Sequence, residues 1–200
     1  MPRIVRLAST SSTQEAAREL PVGSIVVADH QTAGRGRLDR RWEAPPGSAL
    51  LASFVLEPQP LLSIAAGVAA AEACGPDVRL KWPNDLMLRG RKLGGILVEI
   101  RSGKAVVGVG INLTSAPPGA ARLGRPRDEL LERLRAALSV WTSESSDRIL
   151  ERWRELSVTL GRYVRVELPG RFSRASLRTS QRTERWSSMA GESAPATSST

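Results

Sequence analysis

The 200-residue sequence holds one cysteine, Cys74, and one histidine, His30. A lone cysteine excludes an internal disulfide, and one cysteine with one histidine cannot furnish a structural zinc site. No metal site is expected. No apolar run approaches the ~18 residues of a membrane span. The N-terminal MPRIVRLASTSST lacks the apolar core of a signal peptide. Lysine is scarce as well: Lys81, Lys92 and Lys104 are the only three among 29 basic residues. No Ser/His/Asp or Cys/His arrangement for nucleophilic catalysis is readable. The chain reads as soluble and cytoplasmic, with no membrane partner.

What is present is enough for a core. Hydrophobic residues make up 41%, and the length suits one ordinary domain with a small appendage. The net charge of +9 and the pI near 11.2 are a first hint of nucleic acid. Yet the excess is arginine beside abundant alanine, glycine and proline, as GC-rich codons would give. The last thirty residues alone hold five arginines against two acids. A nucleic-acid-binding module without catalysis therefore stays a rival reading.

Patterning predicts a strand over 1–7, then a helix capped by Ser11, Ser12 or Thr13 and running to Leu20. A β-branched strand follows over 24–31, a long loop over 32–48, a buried strand over 49–56 and an apolar helix over 61–74. Strands are expected at 78–82, 92–100 and 105–113, the first running into a PNDL turn. A Pro/Gly connection (114–126) leads to helices over 128–141 and 147–160, each with one apolar face. Adjacent strands with grouped helices point to α+β. The apolar KLGGILVEI strand is a candidate pairing edge for a second copy.

Three segments carry candidate chemistry. Gly34 to Trp42 places four arginines (35, 37, 40 and 41) in a glycine-bearing loop. Glycines let backbone N–H groups approach an anion, and arginines bind it bidentately. A solvated RG-rich loop is the plain alternative. Lys81-Trp82-Pro83-Asn84-Asp85 holds a compact ammonium at a strand end, suited to a carboxylate or α-phosphate oxygen; a surface lysine is the alternative. Gly94, Gly95, Gly108 and Gly110 would make a flat floor for a planar ring, or else mark a bulge or a tight strand crossing.

As an ordered set, these residues resemble the biotin protein ligase (biotin–[acetyl-CoA-carboxylase] ligase) family over about residues 4–168. The matching segments are Ser12-Thr13-Gln14, HQTAGRGR at 30–37, KWPNDL at 81–86, KLGGILVE at 92–99 and GVGINL at 108–113. The resemblance implies a class II synthetase-like mixed β-sheet backed by helices, followed by a small C-terminal β-barrel. It implies ATP-dependent formation of biotinyl-5′-AMP with Mg²⁺, then transfer to a lysine of a biotin carboxyl carrier protein. It places Ser12, Thr13, Gln14, Gln31, Gly34, Arg35, Gly36, Arg37, Lys81, Gly94 and Gly95 against biotin. Arg37, Arg40, Trp42, Lys81, Asn84, Lys92, Gly110 and Asn112 fall on the ATP side, with Lys81, Arg35 and Arg37 closest to the chemistry. A lipoate-type ligase of the same fold is the nearer alternative. Asp39 stands where the family loop has glycine, so it could pair with Arg37 or Arg40. The chain starts almost at the catalytic domain, so no winged helix and no DNA partner are expected, and a monomer or homodimer is.

The domain reading is catalytic domain 1–160, barrel start 161–170 and an aberrant, disordered tail 171–200. The tail has no Val or Ile, and 12 of its 30 residues are Ser or Thr, which cannot build a barrel. Back-translated with GC-rich codons and read one nucleotide earlier, SSMAGESAPATSST decodes as VVDGGGVSAGDVVH, a barrel-like ending. The barrel is therefore expected to be truncated or frameshifted near 170–173.

Overall fold

The computed structural model describes residues 3–38, 40–168 and 171–176. They fall into two units, divided between Thr159 and Leu160. The first unit runs β1 (Ile4–Thr10), α1 (Thr13–Ala17), β2 (Ile25–Gln31), β3 (Ala49–Leu56) and α2 (Leu62–Cys74). It continues through β4 (Val78–Lys81), β5 (Asp85–Leu88), β6 (Arg91–Arg101), β7 (Lys104–Asn112), α3 (Arg127–Trp141) and α4 (Ser146–Leu156).

The strands form a seven-stranded sheet in the order β1-β2-β3-β7-β6-β5-β4. Only β1 and β2 run parallel, joined through α1; the other neighbours are antiparallel. After β3 the chain crosses through α2 to the far edge, and the β4–β7 meander then walks back to pair β7 with β3. The glycine-bearing strands thus end in the middle of the sheet. The terminal strands are β1 and β4, and β5 pairs with β6 only over Arg91–Gly95, so residues 97–101 of β6 pair with β7 alone.

Helices α2, α3 and α4 cover one face with the main core. α2 is buried nearly all round because alanines and Gly67 let it sit close: a β-carbon at Gly67 would lie 3.6 Å from Leu80 Cδ2. Leu130, Leu131, Leu134, Leu138 and Trp141 give α3 one buried face. Glu72 ties the layer together, accepting from Trp141 Nε1 at 2.8 Å and Arg152 Nε at 2.7 Å. Cys74 is buried at the end of α2, and burial pushes its thiol up to about 12 against the opposing pull of Arg125 and Arg133.

On the other face α1 packs with a small cluster of Ala17, Val26, Val55 and Val106. This helix stops at Ala17 rather than Leu20, and Lys104 Nζ donates to the carbonyls of Arg18 and Leu20 at 3.0 Å each. β1 extends to Thr10, past the expected end. β5 was expected as a turn only; its four-residue DLML segment is too short for alternation to show. α4 ends at Leu156, not 160, because the next residues run along the β4 edge. Val158 N–H donates to the Leu80 carbonyl at 2.8 Å and Trp82 N–H to Thr159 Oγ1 at 2.8 Å.

The second unit contains the antiparallel pair β8 (Tyr163–Leu168) and β9 (Arg171–Ser176), with Tyr163 opposite Ser176 and Leu168 opposite Arg171. Strand pairing therefore runs six residues past the boundary that composition placed at 170. Backbone hydrogen bonding in a hairpin does not require Val or Ile. Residues 177–200, with the tail and shifted-frame readings, lie outside the described residues. So does Asp39.

Candidate active site

The site lies on the sheet face opposite α2–α4. Its first part is the β1–α1 junction. Thr13 donates from N–H and Oγ1 to Gln31 Oε1, at 2.7 and 3.0 Å, joining the ends of β1 and β2. Ser53 Oγ, fully buried in β3, lies 2.9 Å from Thr13 Oγ1 and 3.0 Å from Gln14 Oε1. Gln14 Nε2 faces the Leu97 and Val106 carbonyls and Glu99 Oε2 at 3.3–3.4 Å. A β-carbon at Gly108 would come within 2.8 Å of this amide. Gly108 thus makes room for Gln14, whose polar atoms serve the protein. Ser12 Oγ is buried with no protein partner, leaving a donor and an acceptor for a ligand.

The second part is the arginine loop, a small hairpin. Trp42 N–H donates to the Gly34 carbonyl at 3.0 Å and Gly36 N–H to the Arg40 carbonyl at 2.7 Å, while Arg35 and Arg41 bridge. Gly34 is forced, since a β-carbon there would lie 2.3 Å from Trp42 O and 2.8 Å from Gln31 Nε2. Arg35 Nη2 meets Glu99 Oε2 at 2.8 Å, and Glu15 stands 3.9 Å away. Arg37 and Arg40 are exposed at the turn of this hairpin.

The third part comes from register. Lys81 pairs with Asp85, Asp85 with Gly95, Gly95 with Gly110 and Gly110 with Leu51. One row across five strands therefore carries the lysine, the carboxylate and two glycines on one face. The Trp42 indole lies on Gly110, where a β-carbon would fall 2.6 Å from Cε2. Lys92 Nζ sits 5.9 Å from the Trp42 ring centroid and pairs with Asp85 at 2.7 Å. Trp42 Nε1 is buried without a protein partner. Lys81 is exposed at the end of β4 and makes no ion pair among the described residues.

Several of the expected ligand residues make contacts within the scaffold. Gly94 does not line the floor: its β-carbon would meet Gly110 O at 2.4 Å, the tight crossing rather than the ring platform. Asn84 Nδ2 donates to the Ile96 carbonyl at 2.8 Å, and Asn112, buried, donates from Nδ2 to the Ala121 carbonyl at 3.1 Å. Sequence reasoning missed Ser53, Glu99, Glu15 and Asp85. Ser53 had a signal, being the one polar residue in ALLASFVL.

Residues 4–115 match the model of the Biotin/lipoate A/B protein ligase family. The chain belongs to this family. It is 36% identical over 176 residues to a biotin–[acetyl-CoA-carboxylase] ligase of Mycobacterium tuberculosis, covering 74% of this chain and 66% of that one. A ligase of the same name from Paracoccus denitrificans is 42% identical over 136 residues, covering 58% of this chain and 56% of the relative. The structure of a biotin protein ligase from Aquifex aeolicus in complex with biotin and ATP superposes with TM-score 0.74 at 28% identity, covering 88% of this chain and 87% of the other. The chain spans about two fifths to two thirds of the first curated relatives, down to 39% of a bifunctional ligase/repressor from Bacillus subtilis. The mixed sheet with helices on its faces is the fold that the Aquifex structure shares. No helix among the described residues is long and apolar enough to cross a membrane.

Proposed function

We propose that this chain is a biotin protein ligase. It would activate biotin with ATP to biotinyl-5′-AMP and pass the acyl group to a lysine of a biotin carboxyl carrier domain. The observation that carries this reading is the row from Lys81 through Gly95 to Gly110. It sets an exposed ammonium, with no ion pair among the described residues, on one face with the Asp85 carboxylate and two glycines, beside the Trp42 indole and the arginine hairpin. The relatives named for biotin and ATP support the same substrates.

In the first step a biotin carboxylate oxygen attacks the α-phosphorus of ATP and pyrophosphate leaves. In the second, a carrier lysine amine attacks the acyl carbon and AMP leaves. Neither step needs an enzyme nucleophile, so positioning and charge stabilisation suffice. Ser12, Thr13 and Gln31 lie where they can meet the ureido end. Lys81 holds the carboxylate against the α-phosphate, and Arg37 and Arg40 meet the outer phosphates. Mg²⁺ arrives with ATP as its phosphate complex; the described residues hold no cluster of three or more His, Cys, Asp or Glu side chains to bind it alone. The acceptor is the carrier protein of acetyl-CoA carboxylase or a related carboxylase, the compartment is the cytoplasm, and no DNA or membrane partner is needed. Residues 1–160 form the catalytic domain and residues 161–170 the start of a barrel.

The test is biotin-dependent pyrophosphate release from MgATP, followed by label transfer to an apo carrier domain. Lys81→Met should lower the first activity by about 10²-fold, the scale of one lost charge-stabilising donor. Absence of both activities in the native chain overturns the reading.

A further inference from the structure

The arginine hairpin is attached to the sheet at a carboxylate to which the proposed chemistry gives no part. Glu99, on β6, receives Arg35 at 2.8 Å, Arg18 at 3.6 Å and Gln14 Nε2 at 3.3 Å. Glu15 completes the group, taking Arg18 at 2.6 Å and lying 3.9 Å from Arg35. Two carboxylates and two guanidiniums balance. They join the base of the hairpin to α1 and β6, three parts that touch the biotin end of the site.

The two family-type arginines therefore stand in different positions. Arg35 is at the hairpin base, next to Gly34, which is wedged against Trp42 O and Gln31. Arg37 is near the turn, exposed and without a side-chain partner among the described residues. One charge-assisted hydrogen bond, Nη2 to Oε2 at 2.8 Å, ties the Arg35 guanidinium to the sheet and fixes where it sits. We propose that Glu99 is a positioning residue that latches the 34–42 hairpin through Arg35, so that Arg35 anchors the hairpin and Arg37 meets the ligand phosphate. This assignment of roles rests on the adenylate-forming reading above; the latch itself rests only on the contacts.

Glu99→Gln removes the charge and keeps the shape. In the ligand-free chain, hydrogen exchange across 34–42, which includes the Gly36 and Trp42 amides, should quicken about 10-fold, with β3 amides unchanged as internal reference. In biotin-dependent pyrophosphate exchange the same variant should lower kcat/KM for MgATP about 5–10-fold. Arg35→Gln combined with Glu99→Gln should be no worse than Arg35→Gln alone, the signature of one shared interaction. Unchanged exchange over 34–42 overturns the latch, and additive losses overturn the division between Arg35 and Arg37. A native chain without biotin-dependent exchange would remove the proposed function and leave the latch to be decided by hydrogen exchange.

Discussion

Gly94 and Gly95 are neighbours in sequence with opposite duties, and alanine at each separates them. At Gly94 a β-carbon would lie 2.4 Å from Gly110 O and 3.2–3.3 Å from Ile111 atoms. The obstacle is backbone in the adjoining strand β7, which is itself paired with β3, so nothing flexible can yield. Overpacking typically costs about 1–3 kcal/mol, and a backbone clash in a central ladder belongs at about 3. At Gly95 the nearest atoms, on Asn84 and Asp85, are 3.7–3.9 Å away, which is ordinary contact. Its φ is not in the left-handed region, so Gly95→Ala should be neutral or gain about 0.5–1 kcal/mol from a stiffer unfolded chain. At about 2–4 °C per kcal/mol for a chain of this size, the two variants should differ in melting midpoint by about 6–16 °C. Circular dichroism melts give the midpoints, and a biotin and ATP titration gives the second readout. Gly95→Ala, whose methyl stands on the row with Lys81 and Gly110, should fold well and bind biotin more weakly. Equal midpoints, or Gly95→Ala the less stable, would refute the assignment of faces.

Ser53→Ala removes a fully buried hydroxyl shared by Thr13 and Gln14. It should cost about 1–3 kcal/mol in urea unfolding, because Gln14 Oε1 is left without that donor. Cys74 should be inert to a thiol reagent at pH 8 in the folded chain and react only at the rate of opening, since its thiol is raised to about 12. The unfolded chain ionises this thiol first. Stability should therefore fall as pH rises from the ordinary thiol value of 9.0 toward about 12. A pH-independent melting midpoint across that window, read against Cys74→Ala, would contradict the burial effect.

How much was readable follows from how far each signal is local. The apolar run 49–56 and the alanine-rich 62–74 became an interior strand and the most buried helix, because a residue-by-residue pattern and its burial are the same fact. The short β5 escaped because DLML holds its place by pairing with β4 and β6, which no pattern within four residues can announce. Lys81, Asp85, Gly95 and Gly110 fall in one row on one face, but the division of labour among the motif residues did not show. Gly94 and Gly95 look alike until the register of β6 against β7 says which points at the ring platform and which at a carbonyl. Gln14 reads as a ligand residue until Gly108, ninety-four positions later, turns out to hold space for its amide. Glu99 was visible only as the last residue of the KLGGILVE segment, with nothing to say what it holds.

The arginine loop changes most when charge is placed rather than counted. Four arginines within 35–41 look like mutual repulsion awaiting an anion. In the fold, Arg35 is balanced by Glu99 and Glu15, so the repulsion at the hairpin base is already relieved without ligand. The same holds across the unit: Arg125 pairs with Glu129, Arg127 with Asp29, Arg135 with Glu132 and Arg152 with Glu72 and Glu155. At physiological salt, exposed charges more than ~8 Å apart scarcely feel each other, so the +9 of the whole chain has little reach. Anion recognition then depends on where carboxylates are missing. Among the described residues of this site those places include Lys81, at the end of its row, and Arg37, near the turn of the hairpin.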